Sequence, residues 1–443
     1  MSDPKILTTE VIDYACGDDT GILMPAHEAA FRAAGEAFLT EAFRAFGSIS
    51  RMNSVARITR LDPCPGGSTG HKLFLSVEYA FDEPGLQRDL FVKFSRDFDD
   101  SRRDHARHEM ESEARFAPVS RASGFPIRVP AAYFGDFEHA SGTGLLITER
   151  VAFGKDGIEA QHEKCCDHEI DDPLPYYQAL ITALARLAAA HKAGQLVDDI
   201  EERFPLNPAR AGPDPITYDE AALRKVVEGA RQFAQDLPQL LPPDLRAPEF
   251  YDRLLADALM IREHRDLLAQ YLVGSQDFIA LCHWNAHIDN AWFWRDRQAA
   301  LHCGLMDWGR VSQITFGAAL WGCLSAAHLD MGTRHLDALI TLFAEEYRLH
   351  GGPAIDADGL KQHFFVHVGM MGVARVLALP KVIRLRVPDA LQASGPLDPM
   401  ILNDEAARTV LHIYTMLLTL WSRPDFQNTL DRVLGAANGP TVR

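Results

Sequence analysis

Apolar residues recur at helical spacing near the start of the chain and then change to an alternating pattern. Residues 21–50 carry apolar positions three and four apart and predict one amphipathic helix that ends at Gly47. Alternating positions in ARITRLDPCPGGSTGHKLFLSVEYA, RDLFVKFSR and GTGLLITERV predict strands, the first of these stretches being broken by a turn. The charged stretch SRRDHARHEMESEARFAPVSRAS has the composition of a helix. This order predicts an antiparallel sheet packed with one helix.

The remainder of the chain is mainly helical in pattern. Residues 152–175 have no clear period and are interpreted as a connecting insertion, after which YYQALITALARLAAAHKAG predicts a buried helix that ends at Gly194. DFIALCHWN, NAWFW and ALHCGLMDW predict short strands, and helices are expected from beyond Asp307 to about residue 435. We therefore predict an α+β fold with a helical extension at 1–50, a small sheet domain at 51–151 and a large helical domain at 152–443.

Composition narrows the class of protein. The chain has 443 residues and a formal net charge of -17, which argues against nucleic acid as a partner because phosphate backbones require a basic surface. It begins without the pattern of a signal peptide, and no window approaches eighteen uninterrupted apolar residues, so we expect a cytoplasmic protein without membrane insertion. The seven cysteines are scattered, which favours neither a disulfide framework nor a zinc ribbon.

A glycine-rich turn and a strand lysine are candidates for binding phosphate. The turn, Pro65-Gly66-Gly67-Ser68-Thr69-Gly70, allows backbone N–H groups to approach phosphate oxygens, although a structural hairpin uses the same residues. Lys93 lies within the apolar strand Phe91-Val92-Lys93-Phe94, where an ammonium can hold phosphates or can simply reach solvent from an edge strand. Glu113 in the following helix is the predicted carboxylate partner that orients Lys93.

The segment His283-Trp284-Asn285-Ala286-His287-Ile288-Asp289-Asn290, with Asp307-Trp308 downstream, carries the most specific pattern. It resembles the catalytic loop of aminoglycoside phosphotransferases and choline kinases, and especially of ecdysteroid-kinase-like proteins, which read His-Gly-Asp-x-x-x-x-Asn and then Asp after a short hairpin. The turn, the lysine and the glutamate precede it in the order of that family. The resemblance covers about residues 55–330 and implies a two-lobed, protein-kinase-like fold.

The resemblance also implies roles for individual residues. Asn290 and Asp307 correspond to the two Mg²⁺ ligands, and His283 to the residue that braces the loop 283–290. Glu149 falls in Thr148-Glu149-Arg150, where the family has its interlobe hinge, and is therefore expected to contact the nucleotide together with the turn and the lysine. The implied activity is transfer of a phosphoryl group from ATP, with Mg²⁺, to a hydroxyl group of a small and possibly apolar molecule.

Asn285 departs from the family because it stands where the catalytic aspartate is expected. An amide does not accept the proton of a substrate hydroxyl, and loss of a general base slows transfer by about a hundred- to ten-thousand-fold. Three interpretations stay open: a natural pseudokinase, an engineered substitution, or compensation by Asp289 or His287. If the loop is extended, residues 285, 287 and 289 point to the same side, which would permit compensation.

The sequence departs from the family at a second place, and it also permits a second class of function. The stretch Phe316-Gly317-Ala318-Ala319-Leu320-Trp321 lacks the carboxylate with which relatives hold the catalytic loop, so the loop must be braced in another way. A metal-dependent hydrolase is permitted as an alternative by His283 and His287, which are four residues apart, with His302, Asp289 and Asp307 nearby. A helical HxxxH pair would be needed for that site, whereas the surrounding sequence predicts strand and loop.

Overall fold

The computed structural model describes residues 11–66 and 69–437, and all structural statements below refer to them. The chain divides into two compact units. The first contains the residues up to Ala152 together with Leu196–Phe204 and Gly304–Val311, and the second contains Phe153–Gln195, Pro205–Cys303 and the residues from Ser312 onward. Asp307, which the sequence assigned to the helical domain, therefore lies in the first unit.

The first unit is built on one antiparallel sheet. Its elements up to Ala152 are β1 (Tyr14–Cys16), β2 (Leu23–Pro25), α1 (Glu28–Ala45), β3 (Val55–Pro63), β4 (Lys72–Tyr79), β5 (Asp89–Phe94), α2 (Ser101–His105), α3 (Glu111–Ser120), β6 (Ala132–Glu138) and β7 (Thr143–Glu149). The five long strands pair in the order β3-β4-β5-β7-β6, while β1 and β2 form a separate antiparallel pair. Lys93 in β5 lies opposite Lys72 in β4 and opposite Leu146 in β7.

Helix α1 belongs to the core of this unit. Its buried side chains Phe31, Leu39 and Phe43 pack in one apolar cluster with strand residues such as Leu75. The predicted helix over 21–50 is shorter in the structure, because β2 precedes it and Gly47 takes a positive φ just after it. Gly35 kinks the helix with φ 56° and ψ -149°, a conformation that is essentially restricted to glycine.

The second unit is mostly helical. The remaining elements are α4 (Leu174–Lys192), α5 (Ile200–Arg203, part of the first unit), α6 (Pro208–Ala211), α7 (Glu220–Asp236), α8 (Pro248–Glu263), α9 (Arg265–Gly274), β8 (Ile279–Cys282), β9 (Ala291–Arg295), β10 (Leu301–Leu305), β11 (Ser312–Thr315), α10 (Phe316–Leu324), α11 (Leu329–Arg334), α12 (Leu336–Leu349), α13 (Ala357–Ala374), α14 (Pro380–Arg386), α15 (Pro399–Leu402), α16 (Glu405–Trp421) and α17 (Pro424–Ala437). The predicted α+β fold, with a small antiparallel sheet and a large helical part, is confirmed.

Short strand pairs hold the segment of interest within the helical unit. β8 pairs with β11 in antiparallel register, and β9 pairs with β10. α10 packs against α13 and α4, and α4 also packs against β8. In the described part of the chain no single helix has the length and apolar composition to cross a membrane, although the bent pair Ala357–Ala374 and Val376–Arg386 meets both criteria together.

Candidate active site

Lys93 is held between two carboxylates in the first unit. Its Nζ lies 2.6 Å from Glu113 Oε2 and 2.9 Å from Asp307 Oδ1. The other oxygen of Glu113 accepts a hydrogen bond of 3.2 Å from the backbone N–H of Trp308. Strand β5, helix α3 and the segment Gly304–Val311 thus meet at one ammonium group. The structure brings these three predicted side chains together.

Charge and burial act in opposite directions on this cluster. Burial by itself lowers the pKa of Lys93, but the carboxylates of Asp307 and Glu113 outweigh burial and raise the pKa above the ordinary value for lysine. Burial raises the pKa of Glu113, against the opposing effect of Lys93. The short contact between the two has the geometry of a charge-assisted hydrogen bond, which favours the charged form of each partner. Asp307 differs because about half of its side chain is exposed, so it can reach a further ligand.

The backbone at Asp307 is strained. Its φ is 59°, in the left-handed region that costs a residue with a side chain about 1–3 kcal/mol. The next residue is firmly anchored: the ring of Trp308 stacks on Phe116 at 4.2 Å, and its Nε1 donates a hydrogen bond to the Leu305 carbonyl oxygen. These contacts of Trp308 hold the strained backbone of Asp307, and with it the carboxylate, in position beside Lys93.

The glycine-rich turn is only partly described. Gly67 and Ser68 lie outside the described residues. Gly66 has a φ of 95°, and Thr69 is buried. Gly70 combines a φ of 57° with so close an approach that a Cβ would overlap the carbonyl oxygen of Phe94. Glycine is therefore required where the turn rejoins the sheet, and the phosphate-binding role of the turn stays a prediction.

Glu149 lies at the end of β7. Its side-chain Oε2 accepts a hydrogen bond of 3.2 Å from the backbone N–H of Ala131, and its own N–H donates to the Ala131 carbonyl oxygen at 2.7 Å. These contacts fix the end of the strand. The expected contact of Glu149 with a nucleotide stays a prediction.

The segment 283–290 forms a compact loop in the second unit. His283 is fully buried directly after β8, and its Nδ1 accepts a hydrogen bond of 3.2 Å from the backbone N–H of Asn285. The Nδ2 of Asn290 donates to the Asn285 carbonyl oxygen at 3.0 Å. This hydrogen bond fixes the orientation of the Asn290 amide, and the metal-binding role of Asn290 stays a prediction. His283 thus contacts the loop backbone, and its bracing role stays a prediction.

Helix α10 braces the loop in place of the missing carboxylate. A Cβ on Gly322 would overlap the carbonyl oxygen of Trp284, so the helix and the loop backbone are in direct contact. One turn further on, Ser325 Oγ lies 3.1 Å from His287 Nε2. Burial lowers the pKa of His287 well below the usual value, which leaves a neutral imidazole that is a poor proton acceptor. The sequence did not indicate Gly322 or Ser325, because Gly322 lies in an apolar helix and Ser325 directly follows it.

The loop is not extended, contrary to the condition under which residues 285, 287 and 289 would share a side. The N–H of His287 donates to the Asn285 carbonyl oxygen, and residues 288–290 form a single turn of 3₁₀ helix. The side-chain Oδ1 of Asn285 is buried and has no hydrogen-bond partner among the described residues. Asp289 is partly exposed and lies 3.9 Å from Lys164 Nζ. Of the two candidate replacements for the base, Asp289 has the more suitable chemistry.

The hydrolase alternative requires histidines that converge on one metal ion. His302 Nε2 instead lies 2.9 Å from Asp296 Oδ2. Neither His283 nor His287 belongs, within the described residues, to a group of three possible ligands whose ligand atoms lie within 4.8 Å of one another. The group that does satisfy this distance is in the first unit and consists of His108, Glu111 and His139.

No family model and no curated protein matches the sequence. Similar solved structures include a macrolide 2'-phosphotransferase type I, at 13% identity and a TM-score of 0.37 over 75% of this chain and 87% of that chain. They also include a choline/ethanolamine kinase family protein from Mesorhizobium loti (14%, TM-score 0.39, 89% and 98%) and a choline kinase from Cryptosporidium parvum Iowa II (9%, TM-score 0.44, 90% and 97%).

Proposed function

We propose that this chain is a phosphotransferase that uses ATP and Mg²⁺ to phosphorylate a hydroxyl group of a small molecule. The observation that carries the proposal is the ammonium of Lys93, held at 2.6 Å by Glu113 and at 2.9 Å by Asp307. A buried lysine oriented by a glutamate and adjoining a partly exposed aspartate suits phosphoryl transfer, because in that reaction the protein contributes mainly position and charge.

The donor groups fit the proposed cofactors. Mg²⁺ prefers oxygen ligands, and the half-exposed carboxylate of Asp307 and the amide Oδ1 of Asn290 are of that type. The cation supplies neutralisation of phosphate charge when it is bound. Lys93 is the residue proposed to hold phosphate oxygens, and the role of Glu113 is to keep the lysine charged and correctly oriented. The turn at 65–70 is proposed to contribute backbone N–H groups.

Turnover is the part of the proposal that depends on Asn285, which stands where a catalytic aspartate is expected. Its side chain is an amide, which does not accept a proton as a carboxylate does. Its buried Oδ1 has no hydrogen-bond partner among the described residues. This observation favours a second candidate function, a pseudokinase that binds nucleotide and ligand with little transfer. In either case nucleotide binding is retained, since the loss of a base affects the chemical step.

The acceptor is proposed to be a small alcohol. By their descriptions, the similar structures are those of a macrolide phosphotransferase, a choline/ethanolamine kinase family protein and a choline kinase. Another similar structure is that of an aminopropanol kinase. A net charge of -17 is compatible with cationic acceptors such as amino alcohols. A panel of macrolides, aminoglycosides, choline, ethanolamine and aminopropanol therefore covers the relevant chemistry, and a set of apolar alcohols extends it to the ecdysteroid-kinase-like resemblance.

The proposal is tested by nucleotide binding measured with and without Mg²⁺, followed by ATP turnover with the acceptor panel. We expect Mg²⁺ to increase ATP affinity in the unaltered chain and to have little effect in Asp307→Asn. Asp307→Asn is preferred to Lys93→Met, which would leave Glu113 buried without its cation and risk unfolding at a cost of about 3–5 kcal/mol.

Each outcome has a distinct meaning. Binding with turnover supports an active phosphotransferase, and binding without turnover supports the pseudokinase. No binding of ATP by a folded protein would refute both. A response to Mg²⁺ that is unchanged in Asp307→Asn would refute the assignment of Asp307 as a metal ligand.

A further inference from the structure

A second lysine lies beside Lys93 on the same face of the sheet. Lys72 in β4 is directly opposite Lys93 in β5, and side chains of directly opposed residues in an antiparallel pair lie on one face about 5 Å apart. Two like charges in this position destabilise a sheet. Burial, and then the charge of Lys93, lower the pKa of Lys72. A half-buried lysine placed where its charge is unfavourable requires an explanation.

The surroundings of Lys72 supply only part of the compensation. Within the described residues its hydrogen bond is a long one, 3.4 Å from Nζ to the Gly66 carbonyl oxygen at the glycine-rich turn. Asp307 and Glu113 act on it electrostatically, so two ammonium groups face two carboxylates. A cation bound by Asp307 would neutralise one of those carboxylates. The lysine pair would then have an excess positive charge that an anion bound next to both ammonium groups can balance.

We propose that Lys72 is a second phosphate-binding residue, which contacts the terminal phosphates of the nucleotide while Lys93 contacts those nearer the ribose. The inference rests on the proposed function. It is carried by the register of β4 and β5 and by the position of the Lys72 ammonium next to the turn. Both residues offer the same phosphate-binding group, an ammonium that is a compact cation with three hydrogen-bond donors. Lys72 thereby gives the site a preference for polyphosphates over monophosphates.

The experiment compares ATP, ADP and AMP binding to the unaltered chain and to Lys72→Met. Since a hydrogen bond to a charged group contributes about 1.5–3 kcal/mol, we expect Lys72→Met to bind ATP roughly ten- to hundredfold more weakly. AMP affinity should change by less than about twofold. Lys72→Arg should recover most of the ATP affinity. Arg88→Met, which removes an exposed positive charge paired with Asp82 in the same unit, serves as the matched control and should leave ATP affinity unchanged.

A second measurement separates phosphate binding from a structural role. Without nucleotide, Lys72→Met should unfold at the same or a higher temperature than the unaltered chain, because repulsion between the lysines is removed. In saturating ATP it should gain less thermal stability than the unaltered chain. Equal loss of AMP and ATP affinity, unchanged ATP affinity, or a marked loss of stability without nucleotide would each overturn the inference. Failure of the unaltered chain to bind any nucleotide would instead refute the proposed function.

Discussion

At the scale of single residues, Asn285 is the position on which the rate of the proposed reaction is expected to depend. Its backbone is fixed on both sides, by His283 Nδ1 at the N–H and by Asn290 Nδ2 at the carbonyl oxygen. Its side-chain oxygen is buried without a hydrogen-bond partner among the described residues. Asparagine and aspartate have nearly the same shape. A change to aspartate therefore alters the chemistry of this position more than its geometry.

We predict that Asn285→Asp raises ATP turnover roughly a hundredfold or more and leaves ATP affinity nearly unchanged. The added carboxylate supplies the missing proton acceptor, and the backbone contacts that hold the loop do not depend on the side-chain oxygen. Turnover and binding are measured for both chains, with Asn285→Ala as the matched control that gains no base. If Asn285→Asp is no faster while Asp289→Asn abolishes the original activity, the base is Asp289.

The residues of the site differ in how far the sequence can reveal them. Lys93, Glu113 and Asp307 were predicted because each stands in a motif whose order is visible along the chain, and the structure brings them together. Lys72 was missed because its importance depends on which strand residue lies opposite, and register is a property of the folded sheet. Ser325 was missed for a similar reason: a serine at the end of an apolar helix gives no local signal of its contact with His287.

At the scale of elements, α10 replaces a side-chain contact with direct packing. Gly322 allows the helix to touch the carbonyl oxygen of Trp284 in the loop 283–290. The helix is anchored at its start by Thr315, whose Oγ1 accepts a hydrogen bond from the N–H of Ala318. A carboxylate is not needed to brace the loop when a helix lies against its backbone.

We predict that Gly322→Ala destabilises the protein by about 1–3 kcal/mol and reduces turnover, because the added methyl group must displace the loop or the helix. Gly229→Ala is the matched control: Gly229 is an exposed position in α7 with open space around its Cα. That change should stabilise the protein by about 0.5–1 kcal/mol, since alanine favours helix. Equal effects of the two substitutions in chemical denaturation would contradict the contact between α10 and the loop.

Periodicity located most elements but missed β6. Helices such as α4 were predicted because their apolar spacing is a local signal. β6 was overlooked because it contains Gly135 and Asp136, which are unfavourable in a buried strand. In the folded chain Asp136 is buried and accepts hydrogen bonds from the N–H groups of Asp19 and Thr20, between β1 and β2. The buried Asp136 of β6 depends on the turn between β1 and β2 for these hydrogen bonds, so the sequence pattern of β6 alone does not predict a strand.

At the scale of the whole molecule, buried histidines make stability sensitive to acid. Burial in α13 lowers the pKa of His363 to about 4 and that of His367 to about 3. In the unfolded chain these imidazoles take up protons below about pH 6.5. Asp167 acts in the opposite direction, because burial raises its pKa to about 6, above the value of about 3.9 expected in the unfolded chain. The two imidazoles outweigh the one carboxyl group.

We predict that the free energy of unfolding falls as the pH is lowered from about 6.5 to 4.5. In this range the histidines bind protons in the unfolded state but not in the folded state. Each such proton lowers the free energy of unfolding by about 1.4 kcal/mol per pH unit. His367→Leu should reduce that slope by about the same amount and should preserve stability at pH 7.5, because it removes a buried Nδ1 that has no hydrogen-bond partner among the described residues. Urea unfolding from pH 4.5 to 8 measures both effects, and the range above pH 7 is the internal control. An identical slope in the two chains would show that the imidazole of His367 takes up its proton without unfolding.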